Sequence, residues 1–261
     1  VYKRQASPRG GRDALVGRRN IGLDSSVVLT DSQPVTVNRE PCLMPLEESA
    51  SPFLQPSDPC EQIVLDLADR GWCVTPDFLT PLHVAQLRHE ALQMWRRGKF
   101  RHAGVGRGPD LQVRTEIRTD RVLWLDAENC TGAQRLYLDA LERLRQGVNR
   151  TLLLGLFEFE GHLEVYPEGP YYRKHLDQFR GVALRTLTCS LYLNLDWGEG
   201  DGGELRLYTD LEDPDRYEAI QPLGGTLVTF LSARFLHEVM PARRERISIT
   251  GWFKRRGDGL R

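Results

Sequence analysis

Two histidines, an aspartate and an arginine in the C-terminal half of the chain are the residues whose types and spacing could do chemistry. His175 and Asp177 stand two residues apart in a segment of extended character. That spacing projects an imidazole and a carboxylate from one face of a strand. A second imidazole, His237, lies in a later extended segment. Two imidazoles and one carboxylate are the three-ligand set of mononuclear non-haem iron(II) sites, which leaves three coordination positions open. Arg246 follows His237 by nine residues and heads the last strand-like segment. Its fixed fork of donors suits the distal carboxylate of a bound 2-oxo diacid. A histidine and an aspartate at this spacing occur often by chance. Joined to His237, to Arg246 and to strand placement for all four, the pair reads as a metal centre. Zinc is the competing metal, but one carboxylate among three ligands beside a diacid-binding arginine favours iron.

Those side chains need strands to carry them. From about residue 157 onward the chain alternates in short apolar-polar segments with turn signals between them, as in a sandwich or barrel. The expected strands cover residues 162–166, 173–177, 186–194, 204–208, 226–231, 237–240 and 246–253. In the last of these Arg246, Ser248, Thr250 and Trp252 form one face, and Ile247, Ile249, Gly251 and Phe253 the other. The segment 186–194 divides likewise into Thr186, Thr188, Ser190, Tyr192 and Asn194 against Leu187, Cys189, Leu191 and Leu193. Each strand therefore has an apolar side for packing and a polar side for water or a pocket. Upstream, apolar spacing predicts helices over 61–70, 81–97 and 132–154, the second opened by a Thr80 cap and Pro81. Residues 72–79 read as a short strand ending in a turn. The stretch between the second and third helices holds the glycine cluster Gly104, Gly106 and Gly108, but without the strand-to-helix context of a dinucleotide loop. It is expected to be a flexible loop near a site. Helices followed by strands predict an α+β domain, with the helices packed on an antiparallel double sheet.

Composition excludes several functions. Lys and Arg total 35 against 36 Asp and Glu, which gives no global attraction to nucleic acid or an anionic membrane. No apolar run approaches the roughly 20 residues that span a bilayer. Five scattered cysteines, never in CxxC spacing, argue against a disulfide scaffold or zinc ribbon and favour a reducing, cytoplasmic setting. Residues 1–57 are rich in Ser, Pro, Gly and charge and read as a disordered tail. The first five residues resemble translated sequencing-adapter DNA, so a native start elsewhere is expected. The folded domain is expected over 58–256, with a short tail at 257–261. His83, His89 and His102 read as surface residues, and His162 as a core or supporting histidine.

The stretches LEVYPEGPYYRKHLDQFRG, RTLTCSLYLNLDWGEGDGGELRLY and PLGGTLVTFLSARFLHEVMPARRERISITGWF, with GWCVTPDFL and IRTDRVLWL upstream, together resemble the Fe(II)/2-oxoglutarate prolyl 4-hydroxylase superfamily. The nearest likeness is to bacterial relatives of the hypoxia-sensing prolyl hydroxylases. The resemblance implies a double-stranded β-helix (jelly-roll, cupin-like) core with N-terminal helices on the major sheet. It implies Fe(2+) held by His175, Asp177 and His237, with 2-oxoglutarate and O2 as cosubstrates and L-ascorbate as reductant. Arg246 and Tyr192 would grip the distal carboxylate, and Tyr166, Thr250 and Trp252 would line the pocket. Asp120 and Arg185 resemble an acid and a base that anchor a substrate-side loop. Glu164 departs from the family pattern, which often has an apolar residue there. The implied reaction is hydroxylation at C4 of an exposed prolyl residue in a protein or peptide, with release of succinate and CO2. A free amino acid or other small acceptor is the alternative, and a non-catalytic metal-binding jelly-roll interaction module is a third reading.

Overall fold

The computed structural model describes residues 58–104, 114, 116–169, 171–178, 184–210, 212–213 and 215–256. The expected tails at 1–57 and 257–261, and most of the loop at 104–120, lie outside the described residues. Three helices open the domain: α1 (Pro59–Asp69), α2 (Pro81–Arg96) and α3 (Gly132–Leu152). Each begins on a side-chain cap, with Asp58, Thr80 and Thr131 accepting from backbone amides that the helix itself leaves unpaired. Past α3 the chain passes through Leu153 in the left-handed region. Asn149 then accepts from the Leu156 amide and donates to the Leu156 carbonyl, both at 2.7 Å, tying the end of the helix to the first long strand.

The described strands are β1 (Trp72–Thr75), β2 (Arg101–His102), β3 (Arg121–Trp124), β4 (Leu156–Tyr166), β5 (Tyr172–His175), β6 (Arg185–Tyr192), β7 (Leu205–Tyr208), β8 (Tyr217–Ile220), β9 (Leu227–Leu231), β10 (Leu236–Val239) and β11 (Arg246–Arg255). They form two antiparallel sheets, a major one in the order β1-β9-β6-β11-β4-β3-β2 and a minor one in the order β5-β10-β7-β8. Apolar residues on one face of the major sheet, among them Leu163, Leu187, Leu191, Ile247 and Ile249, pack with Ile63, Leu87 and Leu144 of the helices. Fully burying such side chains contributes about 1.5–3 kcal/mol each. A second cluster, including Leu205, Leu207, Val228, Phe230 and Val239, fills the space between the two sheets. This is the α+β, double-stranded β-helix architecture expected from the sequence, with its helices on the major sheet.

Four local expectations need correction. The expected strand 173–177 ends at His175, and Asp177 follows in a bend. The stretch between α2 and α3 is not all loop, because β2 and β3 extend the major sheet along β4. β8, pairing with β7, was not foreseen. Asn194 lies beyond β6 in an isolated bridge to Leu223. Among the described residues, no helix is long and apolar enough to cross a membrane.

Candidate active site

Register brings the metal-binding candidates together. β10 pairs with β5 so that His237 lies directly opposite His175, and their ring centroids are 4.2 Å apart. Each imidazole is oriented through Nδ1, which faces a backbone carbonyl: Arg173 O at 2.7 Å for His175, and Phe235 O at 3.2 Å for His237. A carbonyl can only accept, so Nδ1 carries the proton and both Nε2 lone pairs point elsewhere. They point at Asp177. Its Oδ1 is 3.5 Å from His175 Nε2, and its Oδ2 is 3.6 Å from His237 Nε2. These separations exceed hydrogen-bond length, and the three donor atoms lie within 4.8 Å of one another. The bend after β5 frees Asp177 to turn towards the pair, where Thr188 Oγ1 donates to its Oδ2 at 2.8 Å. The Thr188 proton being committed, Ser232 donates in turn to Thr188 at 2.9 Å. Burial pushes His237 down to about 4 against the opposing pull of Asp177, so the ring is neutral at neutral pH. Burial alone would raise the Asp177 carboxyl, but the two imidazoles and its hydrogen bonds hold it far below the usual carboxylate range. A neutral His237 and an ionised Asp177 are in the protonation states that metal binding requires.

The triad opens into a cavity whose far wall is the polar face of β11. β11 lies between β4 and β6, and register sets their side chains in rows. Arg246 stands beside Tyr166, Ser248 between Glu164 and Tyr192, and Thr250 between His162 and Ser190. Arg246 is 2% exposed, and among the described residues no carboxylate lies within ion-pair distance of it. Its Nε donates to Gly203 O at 3.0 Å and its Nη1 to Ser248 Oγ at 3.3 Å. Gly203 has φ +69°, and a Cβ there would stand 2.9 Å from Ala242 Cβ and 3.2 Å from Arg246 Cδ. Only glycine lets this carbonyl reach the guanidinium.

A family model for the 2OG-Fe(II) oxygenase superfamily matches residues 161–254. A prolyl-4-hydroxylase of known crystal structure from Pseudomonas putida is 39% identical, with a TM-score of 0.69 over 76% of this chain and 100% of that one. The chain belongs to the 2OG-Fe(II) oxygenases of the prolyl hydroxylase type. A prolyl hydroxylase from Trichoplax adhaerens, solved with a hypoxia inducible factor oxygen degradation domain peptide fragment, is 25% identical, with a TM-score of 0.66 over 75% of this chain and 90% of that one. Human Egl nine homolog 1 is 30% identical over 203 residues, which are 74% of this chain and 46% of that protein, so the chain spans about half the length of that relative.

The residues of this oxygenase fit the groups its family uses. His175, Asp177 and His237 offer one oxygen and two nitrogen donors to a single cation, a set suited to iron(II). A buried guanidinium that makes no direct ion pair among the described residues, facing a cavity, suits an anion such as the distal carboxylate of 2-oxoglutarate. Tyr166, Thr250 and Trp252 line the cavity. Tyr192 does not; its ring lies 5.0 Å from the Arg246 guanidinium carbon, and its buried hydroxyl has no hydrogen-bond partner among the described residues. Asp120 and Arg185 line no part of the cavity and have other partners. Asp120 pairs with Arg118 through contacts of 2.7 and 2.5 Å, whereas Arg185 pairs with Glu160 and lies 3.4 Å over the Trp252 ring. His162 is buried, donates from Nε2 to Glu164 Oε1 at 2.9 Å and is outside the metal cluster.

Two polar cavity residues escaped the sequence reading. Arg118 reaches the cavity and stacks 4.3 Å over Tyr172, which itself stacks on His175 with ring centroids 3.6 Å apart. The spacing of Arg118 and Asp120, two apart in an extended segment, was the available signal. Tyr172, three residues before His175, has none, because its place depends on the bulge between β10 and β5.

Proposed function

We propose that residues 58–256 form a dioxygenase that hydroxylates C4 of a prolyl residue in a protein, using iron(II), 2-oxoglutarate and O2, and releasing succinate and CO2. The observation that carries this reading is the convergence of His175, Asp177 and His237 at one end of a cavity whose other wall presents Arg246. The prolyl acceptor is supported by likeness to the Pseudomonas prolyl-4-hydroxylase over that chain's full length, and to the peptide-bound Trichoplax enzyme. Four described cysteines are free thiols, in keeping with a reducing, cytoplasmic setting.

His175, Asp177 and His237 would hold the iron, which supplies the coupling of O2 reduction to decarboxylation of the 2-oxo acid and oxidation of a C–H bond. The chain's own contribution is positional. Thr188 fixes the Asp177 carboxylate, and the Arg173 and Phe235 carbonyls fix the rings. Arg246, held by Gly203 and Ser248, would grip the distal carboxylate, with the Tyr192 ring 5.0 Å from the guanidinium carbon. Tyr166 and Thr250 shape the wall, and Phe230, Leu205 and Val239 keep water from the reacting end. Trp252, with Arg185 across its ring, and the Asp120–Arg118 pair would bound the side on which a peptide enters. L-ascorbate would serve as the reductant that keeps the iron ferrous.

The test supplies the protein with Fe(II), ascorbate and 2-oxoglutarate, with and without proline-containing peptides. Succinate formation that rises with peptide, together with one added oxygen on a proline by mass spectrometry, is expected. Oxygen added only to a free amino acid would overturn the protein acceptor.

A further inference from the structure

Besides Asp177, Glu164 is the only carboxylate among the described residues that line the cavity. It is 5% exposed. Its Oε1 meets His162 Nε2 at 2.9 Å and lies 3.6 Å from Arg118 Nη2. Its Oε2 accepts from Ser248 Oγ at 3.0 Å and from Thr250 Oγ1 at 2.9 Å. Ser248 in turn accepts from Arg246 Nη1, so one hydroxyl links the guanidinium to the Glu164 carboxylate. Burial would push this carboxyl up, but His162, Arg118 and Arg246 hold it below the usual range, so it is charged at neutral pH.

Two consequences follow for an anion arriving at Arg246. The guanidinium is already partly neutralised, and the arriving group meets a fixed like charge. In addition, the Ser248 and Thr250 hydroxyl protons are committed to Glu164, which leaves neither free to donate to the ligand. We propose that Glu164 is a specificity-determining residue that weakens dicarboxylate binding and narrows the preference for 2-oxoglutarate over 2-oxo acids without a distal carboxylate. This rests on the reading that Arg246 receives the distal carboxylate. A like charge at this range opposes binding on the order of tenfold.

The test is calorimetric titration of the full chain loaded with redox-inert Mn(II), using 2-oxoglutarate and 2-oxopentanoate as probes. Wild-type protein is expected to prefer the diacid by less than about tenfold; a preference beyond about a hundredfold overturns the proposal without any variant. Glu164→Gln keeps the shape and removes the charge. It is expected to tighten 2-oxoglutarate about tenfold and to leave 2-oxopentanoate within about twofold. Glu164→Ala also releases the two hydroxyls and is expected to tighten the diacid at least as much. Unchanged or weaker diacid binding in Glu164→Gln, while Arg246→Ala weakens it more than about tenfold, overturns the role of Glu164 alone. Unchanged diacid binding in Arg246→Ala instead overturns the anchor, and the proposal with it.

Discussion

The two faces of the major sheet are built from alternate residues of the same strands, yet they serve different ends. On β11, Ile247 and Ile249 are fully buried against the helices, while Arg246 and Ser248, next to them in the chain, are buried on the opposite face, where Arg246 lines the cavity. The helix face needs only volume and apolarity, which many side chains supply. The cavity face carries buried polar atoms that need partners, and most find them in rows, Arg246 on Ser248, Ser248 and Thr250 on Glu164, Thr188 on Asp177, while the Tyr192 hydroxyl has none among the described residues. Burial alone therefore does not separate the scaffold of this protein from its site. What separates them is whether the buried atoms are satisfied by packing or by directed hydrogen bonds and a ligand.

That contrast is broken most severely at Asp177. Asp177→Ala is expected to abolish turnover and to weaken metal affinity by more than the ~100-fold typical of losing an outer partner. Equilibrium dialysis against Fe(II) or Mn(II) reads the loss, and the melting temperature of the metal-free protein should move little. Retained metal would remove Asp177 from the ligand set. The mirror experiment is Ile249→Ala. Deleting this buried side chain should cost about 2–5 kcal/mol of stability, read by denaturant unfolding. Molecules that remain folded should bind metal as wild type does. If Ile249→Ala also weakened metal binding strongly, the two faces would not be independent. An intermediate effect is expected from Thr188→Val, which removes the hydrogen bond to Asp177 while nearly conserving volume. Chelator competition should show metal affinity lowered by about 10–100-fold with the ligand set intact.

Strand alternation made both faces legible in the sequence where strands are long. In β6 and β11 the polar and apolar sets named from the sequence fall on opposite sides of the sheet. The histidine and arginine positions followed from the same rule together with the family motif. Alternation failed where an element exists only through its partner. β2 has two residues and no period of its own, and it forms because β3 and β4 provide a ladder. Asp177 lies with the two histidines, but the strand stops two residues earlier and a bend, not the pleat, turns the carboxylate. The partner of Arg185 was out of reach for a similar cause. Arg185 reaches Glu160 across β11, a contact that only the strand order creates.

The smallest effect expected concerns pH, and it again sets one face against the other. The Glu164 carboxyl sits below its ordinary value in the folded chain, so on acidification the unfolded chain takes up this proton first. The stability that Glu164 contributes is then fully present above about pH 4.3, and it is lost as the pH falls through that value towards the folded one. The loss is bounded at about 1.4 kcal/mol for each pH unit. Thermal unfolding across this range should give a shallower pH dependence for Glu164→Gln than for wild type. Ile249→Ala removes no titrating group and should run parallel to wild type at a lower melting temperature. A Glu164→Gln curve parallel to wild type would mean that the carboxylate gains nothing from His162 and Arg118, and that the buried hydrogen bonds of the cavity face add no more to folding than the packing they replace.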